Sequence, residues 1–180
     1  MYNVSLNCFI ALVMQKGFFV LLFLEMQVKT HHLQTIASLS RSWVFSIEIR
    51  RFREALVVGH NLMKVKSNEE DRMINILTYT STSVKIKSGE IIFTLETVQD
   101  VYYKVTVSQI FWPTNNRYVR ELRIDGVLQH RVILEEAKTY TNVRFYAADP
   151  AMNIHSEDFF IRNYYFLDIE EMAEIDSNPI

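Results

Sequence analysis

Between Ala148 and Phe159 the chain reads DPAMNIHSED, a polar loop between two apolar runs. Asp149 and Asp158 bring carboxylate oxygens, Asn153 an amide and His155 an imidazole. Such a set can hydrogen-bond sugar hydroxyls or share a hard cation. Calcium would need several oxygen ligands, and backbone carbonyls could supply some, but the spacing is not that of an EF-hand loop. The same residues also suit a turn. Pro150 fixes φ and withholds a donor, so it ends a strand after Ala148, and the Asp149 carboxylate can accept neighbouring backbone N–H groups. Arg162 follows in the next apolar run, where it either pairs across strands or caps loop carbonyls. The candidate ligand-binding residues are Tyr146, Asp149, Asn153, His155 and Arg162.

Other chemistry is harder to find. There is no Gly-x-Ser-x-Gly, Walker A loop or dinucleotide fingerprint. Sandwich glycoside hydrolases use paired carboxylates, and the nearest approach, Asp168-Ile169-Glu170, has no strand after it. No catalytic residue is assigned. The five histidines, His31, His32, His60, His130 and His155, are scattered, so no shared metal site is expected. No cofactor is expected, and calcium is the one cation the loop's oxygens would suit. The single cysteine, Cys8, rules out an intrachain disulfide and Cys-x-x-Cys zinc pairs. A net charge of −2 exerts no general pull on nucleic acid. Arg50-Arg51-Phe52-Arg53 is the one basic cluster, and it sits where a strand should end. It reads as a solvated turn or an anion-binding patch.

The elements that would position these residues read as strands. In WVFSIEI, Trp43, Phe45, Ile47 and Ile49 share one face, with Ser46 and Glu48 on the other, the period of a half-buried strand. VYYKVTVSQI places Val101, Tyr103, Val105 and Val107 opposite Tyr102, Lys104, Thr106 and Ser108. MINILTY alternates less cleanly and suits burial on both faces. Gly59 predicts a bend or bulge, and Ser88-Gly89 a short turn. Asp125-Gly126 predicts a type I′ hairpin, because both residues tolerate positive φ. TNVRFYAAD and FFIRNYYFL are two further strands. NYYFL and VYYKV each hold adjacent tyrosines, so one of each pair should face away from the core. With 49% hydrophobic and 13% aromatic residues, and only 4 Gly and 3 Pro, the 180-residue chain suits one packed domain. About ten short strands without a sustained helical stripe after Ser40 predict an all-β fold, a two-sheet antiparallel sandwich or jelly roll.

Before Ser40 the reading divides. GFFVLLFL, Gly17 to Leu24, follows Lys16 and resembles the apolar core of a signal peptide, with small residues Ala37 and Ser38 further on. Met14 offers a tidier start than Met1. The alternatives are an uncleaved membrane anchor, or a buried strand or helix, and Glu25 to Leu39 could be helical. The domain plan is a signal peptide or anchor over 1–37, a sandwich over 38–168 and an acidic tail over 169–180.

The strand landmarks carry a family resemblance. SWVFSIEI, EEDRMINILTYTSTSVKI, YYKVTVSQI, YVRELRIDGVLQHRVI, TNVRFYAADP and FFIRN, in that order, resemble a laminin-G-like, concanavalin-A-like lectin–glucanase domain. The variety is that of invertebrate (cnidarian-like) secreted and cell-surface proteins. The matching positions are Trp43 and Ser46, Asp71-Arg72-Met73, Ile124-Asp125-Gly126, Val143 with Tyr146-Ala147-Ala148-Asp149-Pro150, and Ile161-Arg162-Asn163. The resemblance covers roughly Leu33 to Leu167. Ala151 stands where the pattern has Trp, and Phe159-Phe160 where it has Gly-Ser, so the departures lie beside the candidate loop. The resemblance implies a β-sandwich used for extracellular recognition. The expected function is binding of a glycan or an extracellular matrix protein without catalysis, with membrane contact only through an uncleaved N-terminus. The alternatives are a structural matrix component and a distant glycoside hydrolase.

Overall fold

The computed structural model describes residues 11–15, 18–22, 26–28, 31–53, 59, 61–67, 73–147 and 156–169. They form strands β1 (Ala11–Gln15), β2 (Phe18–Leu22), β3 (Met26–Val28), β4 (His31–Leu39) and β5 (Trp43–Arg51). Then follow β6 (Asn61–Lys66), β7 (Met73–Tyr79), β8 (Ser83–Ser88), β9 (Ile91–Glu96) and β10 (Tyr102–Trp112). The last four are β11 (Arg117–Ile124), β12 (Val127–Leu134), β13 (Tyr140–Ala147) and β14 (Ser156–Asp168). The first sheet runs β1-β2-β14-β5-β10-β11-β12, with β3 also on β14, and the second runs β4-β13-β6-β7-β8-β9. All the strand pairings are antiparallel. The chain is an all-β sandwich, as the alternation predicts.

The core lies between the sheets. Trp43, Phe45, Ile47, Val105, Val107, Leu122, Ile124, Val143, Phe145 and Ile161, the inward set that the two-residue period selects, are all buried. Aromatic rings join the layers: Tyr79 of β7 lies 5.1 Å from Phe159, and Phe145 of β13 lies 5.6 Å from Tyr164 and 5.4 Å from Phe166. Such pairs add about 0.5–1.5 kcal/mol each to the apolar area they bury. At one end the core is closed by Arg51, whose Nε and Nη2 donate to Thr97 Oγ1 and Thr97 O at 3.1 and 2.9 Å.

Turn chemistry follows the sequence. Asp125 and Gly126 have φ of 51° and 82°, as a type I′ hairpin requires. Gly59 has φ of 86°, and its N–H donates to Tyr79 O at 2.9 Å. Two expectations need correction. The stretch that could have been helical, Glu25 to Leu39, supplies strands β3 and β4, because β14 and β13 offer them partners distant in sequence. Val101 precedes β10 and is exposed, since the strand starts one residue later. Asp168, the last residue of the sandwich span, is buried, and its carboxylate accepts from Ser40 N at 2.8 Å and Ser40 Oγ at 2.5 Å. Among the described residues, no helix is long and apolar enough to cross a membrane.

Candidate functional site

Side chains that alternate with the core positions of β14, β5, β10, β11 and β12 make up the outward face of the first sheet. Strand register arranges them in rows. Phe160, Arg50 and Tyr102 form the first row, and Arg162, Glu48 and Lys104 the second. Tyr165, Ser46, Thr106 and Arg123 form the third. Leu167, Val44, Ser108, Glu121 and Arg131 form the fourth.

The aromatic residues reach this face through one bulge. Simple alternation from Ile161 would turn Tyr165 into the core. Instead Asn163 takes φ of 49°, and the pairing of β14 with β5 shifts between Arg162 and Tyr165. Asn is among the few residues that tolerate this conformation. Tyr164 therefore points inward and is buried, while Tyr165 points out. Tyr102 points out and Tyr103 packs against the core, so each tyrosine pair divides as expected.

The rows are knitted by charge and rings. Arg162 Nε donates to Glu48 Oε2 at 2.7 Å, and its guanidinium stacks 3.4 Å from the Tyr102 ring centre. Arg50 lies 5.2 Å from the Tyr102 ring and 4.9 Å from that of Phe160. Lys104 Nζ sits 5.6 Å from the Tyr165 ring, and Ser46 Oγ and Thr106 Oγ1 share a hydrogen bond of 3.1 Å. Glu121 accepts from Arg123 Nε at 3.0 Å and Arg131 Nε at 2.7 Å, and Arg131 in turn lies 4.8 Å from the Trp112 ring.

Both carboxyl groups are held ionised. Burial alone would raise the Glu48 pKa, but hydrogen bonds from Asn163 and Arg162 and the charges of Arg162 and Lys104 outweigh it and lower the value. Glu121 is lowered in the same way: burial opposes, and the bonds and charges of Arg131 and Arg123 prevail. The face thus sets the rings of Tyr102, Phe160 and Tyr165 beside cationic side chains and two carboxylates that are charged near neutral pH.

Of the sequence candidates, Arg162 lies on this face. Tyr146 lies on β13 between buried Phe145 and Ala147, so it faces outward from the second sheet, and the two are not brought together. Asp149, Asn153 and His155 lie outside the described residues. Glu48, Arg50, Glu121 and Trp112 were not singled out as site residues, although strand phase places Glu48 beside Lys104 and Arg162. Among the described residues, no group of three or more His, Cys, Asp or Glu side chains gathers as a metal site.

The fold defines the class of a two-sheet antiparallel β-sandwich. No protein-family model and no curated protein matches the chain. Among solved structures it is similar to the botulinum neurotoxin serotype D ligand binding domain in complex with N-acetylneuraminic acid. That likeness has a TM-score of 0.54 and 10% identity, over 97% of this chain and 45% of that one. The serotype G binding domain gives 0.53 and 10%, over 97% and 48%. The receptor binding domain of botulinum neurotoxin D gives 0.51 and 11%, over 99% and 48%. The chain spans less than half the length of each, and what is shared is the fold.

Proposed function

We propose that this chain is a non-catalytic recognition module that binds glycan through the outward face of the first sheet. The observation that carries the reading is the row alignment that sets Tyr102 and Tyr165 beside Arg162, Arg50 and Lys104. Sugar rings pack their C–H faces on aromatic rings, and guanidinium and carboxylate groups bond their hydroxyls. A fold neighbour solved with an acidic sugar supports the class by analogy of fold. The laminin-G-like variety of the sandwich, suggested by the landmark motifs, is part of the same proposal.

The chemistry of the face argues against a glycosidase. A general acid must keep its proton near neutrality, and Glu48 and Glu121 are both shifted the other way. The second reading is a matrix component that binds a protein partner or itself. A glycan array probed with the full chain, with calcium and with a chelator, separates the two. Binding to at least one glycan class supports the proposal. Self-association without glycan binding overturns it. Loss of binding in chelator would show that a cation takes part in it.

Secretion belongs to the proposal too, since such a module works outside the cell. Cleavage near Ala37 would remove β1, β2, β3 and most of β4, leaving β14 and β13 as sheet edges. Expression in animal cells should deliver an N-terminally trimmed product to the medium. A cytosolic product retaining Met1 would reject it.

A further inference from the structure

The inner row at the far end of the core from Ile49 is polar. Trp43, Gln109 and Arg120 are register partners on β5, β10 and β11, in phase with Phe45, Val107 and Leu122. Gln109 is fully buried and Arg120 is 7% exposed. Gln109 Oε1 accepts from Arg120 Nη2 at 2.5 Å, while Gln109 Nε2 donates to Arg41 O at 2.9 Å and, more weakly, to Lys138 O at 3.4 Å. The guanidinium lies 5.7 Å from the Trp43 ring. Its other end meets the β8–β9 turn, where Gly89 has φ of 55° and Nη1 occupies the place a Cβ would take.

Among the described residues this cation has no counter-charge beside it. Among the described residues, no carboxylate pairs with Arg120, and Asp168, in register with Trp43, is engaged by Ser40. Three buried polar atoms here lack a hydrogen-bond partner: Arg120 Nε, Trp43 Nε1 and Ser88 Oγ. Arginine and indole nitrogens can only donate. A water would accept from them but bring no charge, and a metal ion would be repelled. A monovalent anion seated among these side chains would accept from such donors and neutralise the guanidinium, whose isolation in a low dielectric is otherwise costly.

We propose that the Trp43–Gln109–Arg120 end of the sandwich binds a small monovalent anion, either chloride or a carboxylate, on the partnerless donors of Arg120, Trp43 and Ser88. The site faces the core, away from the glycan face, and does not rest on that reading.

The test is thermal unfolding of the full chain in chloride and in acetate, with Arg120→Met, Trp43→Phe and Ser88→Ala alongside. Comparing variants at equal salt cancels general salt effects. For a site with millimolar affinity, the wild-type Tm should climb roughly 4–8 °C further than that of Arg120→Met between ~10 mM and ~1 M anion. Trp43→Phe and Ser88→Ala should each need roughly tenfold more anion for the same rise. Should Arg120→Met fail to fold, these two variants decide the matter. Line broadening of the chloride NMR signal, reversed by acetate, would assign the site to either anion; broadening that acetate leaves intact would assign it to chloride. Equal salt slopes in wild type and variants, or no dependence on either anion, would overturn the proposal.

Discussion

Tyr164 shows how a single side chain can be read twice. Its ring joins Phe45 and Phe145 at 5.7 and 5.6 Å, so it is a core aromatic, yet its buried hydroxyl has no hydrogen-bond partner. Burial pushes its pKa well above the ordinary 10.0. An orphaned hydroxyl costs about 1–3 kcal/mol. Tyr164→Phe keeps the packing and removes that cost, so it should be neutral or raise stability by up to about 1–2 kcal/mol in urea denaturation; a clear loss would reveal a partner for the hydroxyl. The glycines separate two kinds of constraint. Gly126 at φ of 82° has open space where a Cβ would go, whereas Gly89 at 55° has Arg120 Nη1 there. Gly126→Ala should cost about 1–2 kcal/mol of backbone strain alone. Gly89→Ala adds displacement of a guanidinium tied to Gln109 and should cost more. A smaller loss at Gly89 in paired melting curves would mean that Arg120 swings away freely.

At the scale of the strand, β5 was legible because Trp43, Phe45, Ile47 and Ile49 repeat without interruption, and the β11–β12 hairpin because Asp125-Gly126 has few alternatives. Gln109 and Arg120 could also have been found. They continue the inward phase of Val105-Val107 and of Leu122-Ile124, and a polar residue in that phase is a buried polar residue. β4 was not legible. HHLQTIASL has no firm period, and its strand state comes from pairing with β13, far along the chain. In β14 the period breaks at Asn163, and only the residue type hints at it. That bulge should be measurable. Asn163→Gly keeps the positive φ and loses the bond to Glu48, a loss of about 1–2 kcal/mol. Asn163→Val adds the penalty of a β-branched residue at φ of 49°, for about 2–4 kcal/mol in all. Equal losses in denaturant titrations would mean that the backbone conformation there carries no weight. The candidate loop is a different case: the sequence points to Asp149, Asn153 and His155, and they lie outside the described residues.

The whole molecule is a two-sheet sandwich, and its electrostatics set a pH limit. Glu48 and Glu121 have lowered pKa values, so their contribution to stability is complete above the ordinary 4.5 and is lost as pH falls through the lowered values. The Tm should decline below pH 4.5 through these groups, and Glu48→Gln with Glu121→Gln should decline less steeply over that window. A doubly substituted chain with an unchanged acid limb would remove these pairs from the account. The central claim concerns which face binds. Titration calorimetry with the strongest glycan from an array, on wild type, Tyr102→Ala, Tyr165→Ala and Tyr146→Ala, tests it most directly. Losing one stacked ring should cost about 1–2 kcal/mol, roughly 5- to 30-fold in Kd. The account predicts that loss for Tyr102→Ala and Tyr165→Ala, on the first sheet, and less than a twofold change for Tyr146→Ala, on the second. Weakened binding in Tyr146→Ala with the other two unchanged would contradict it.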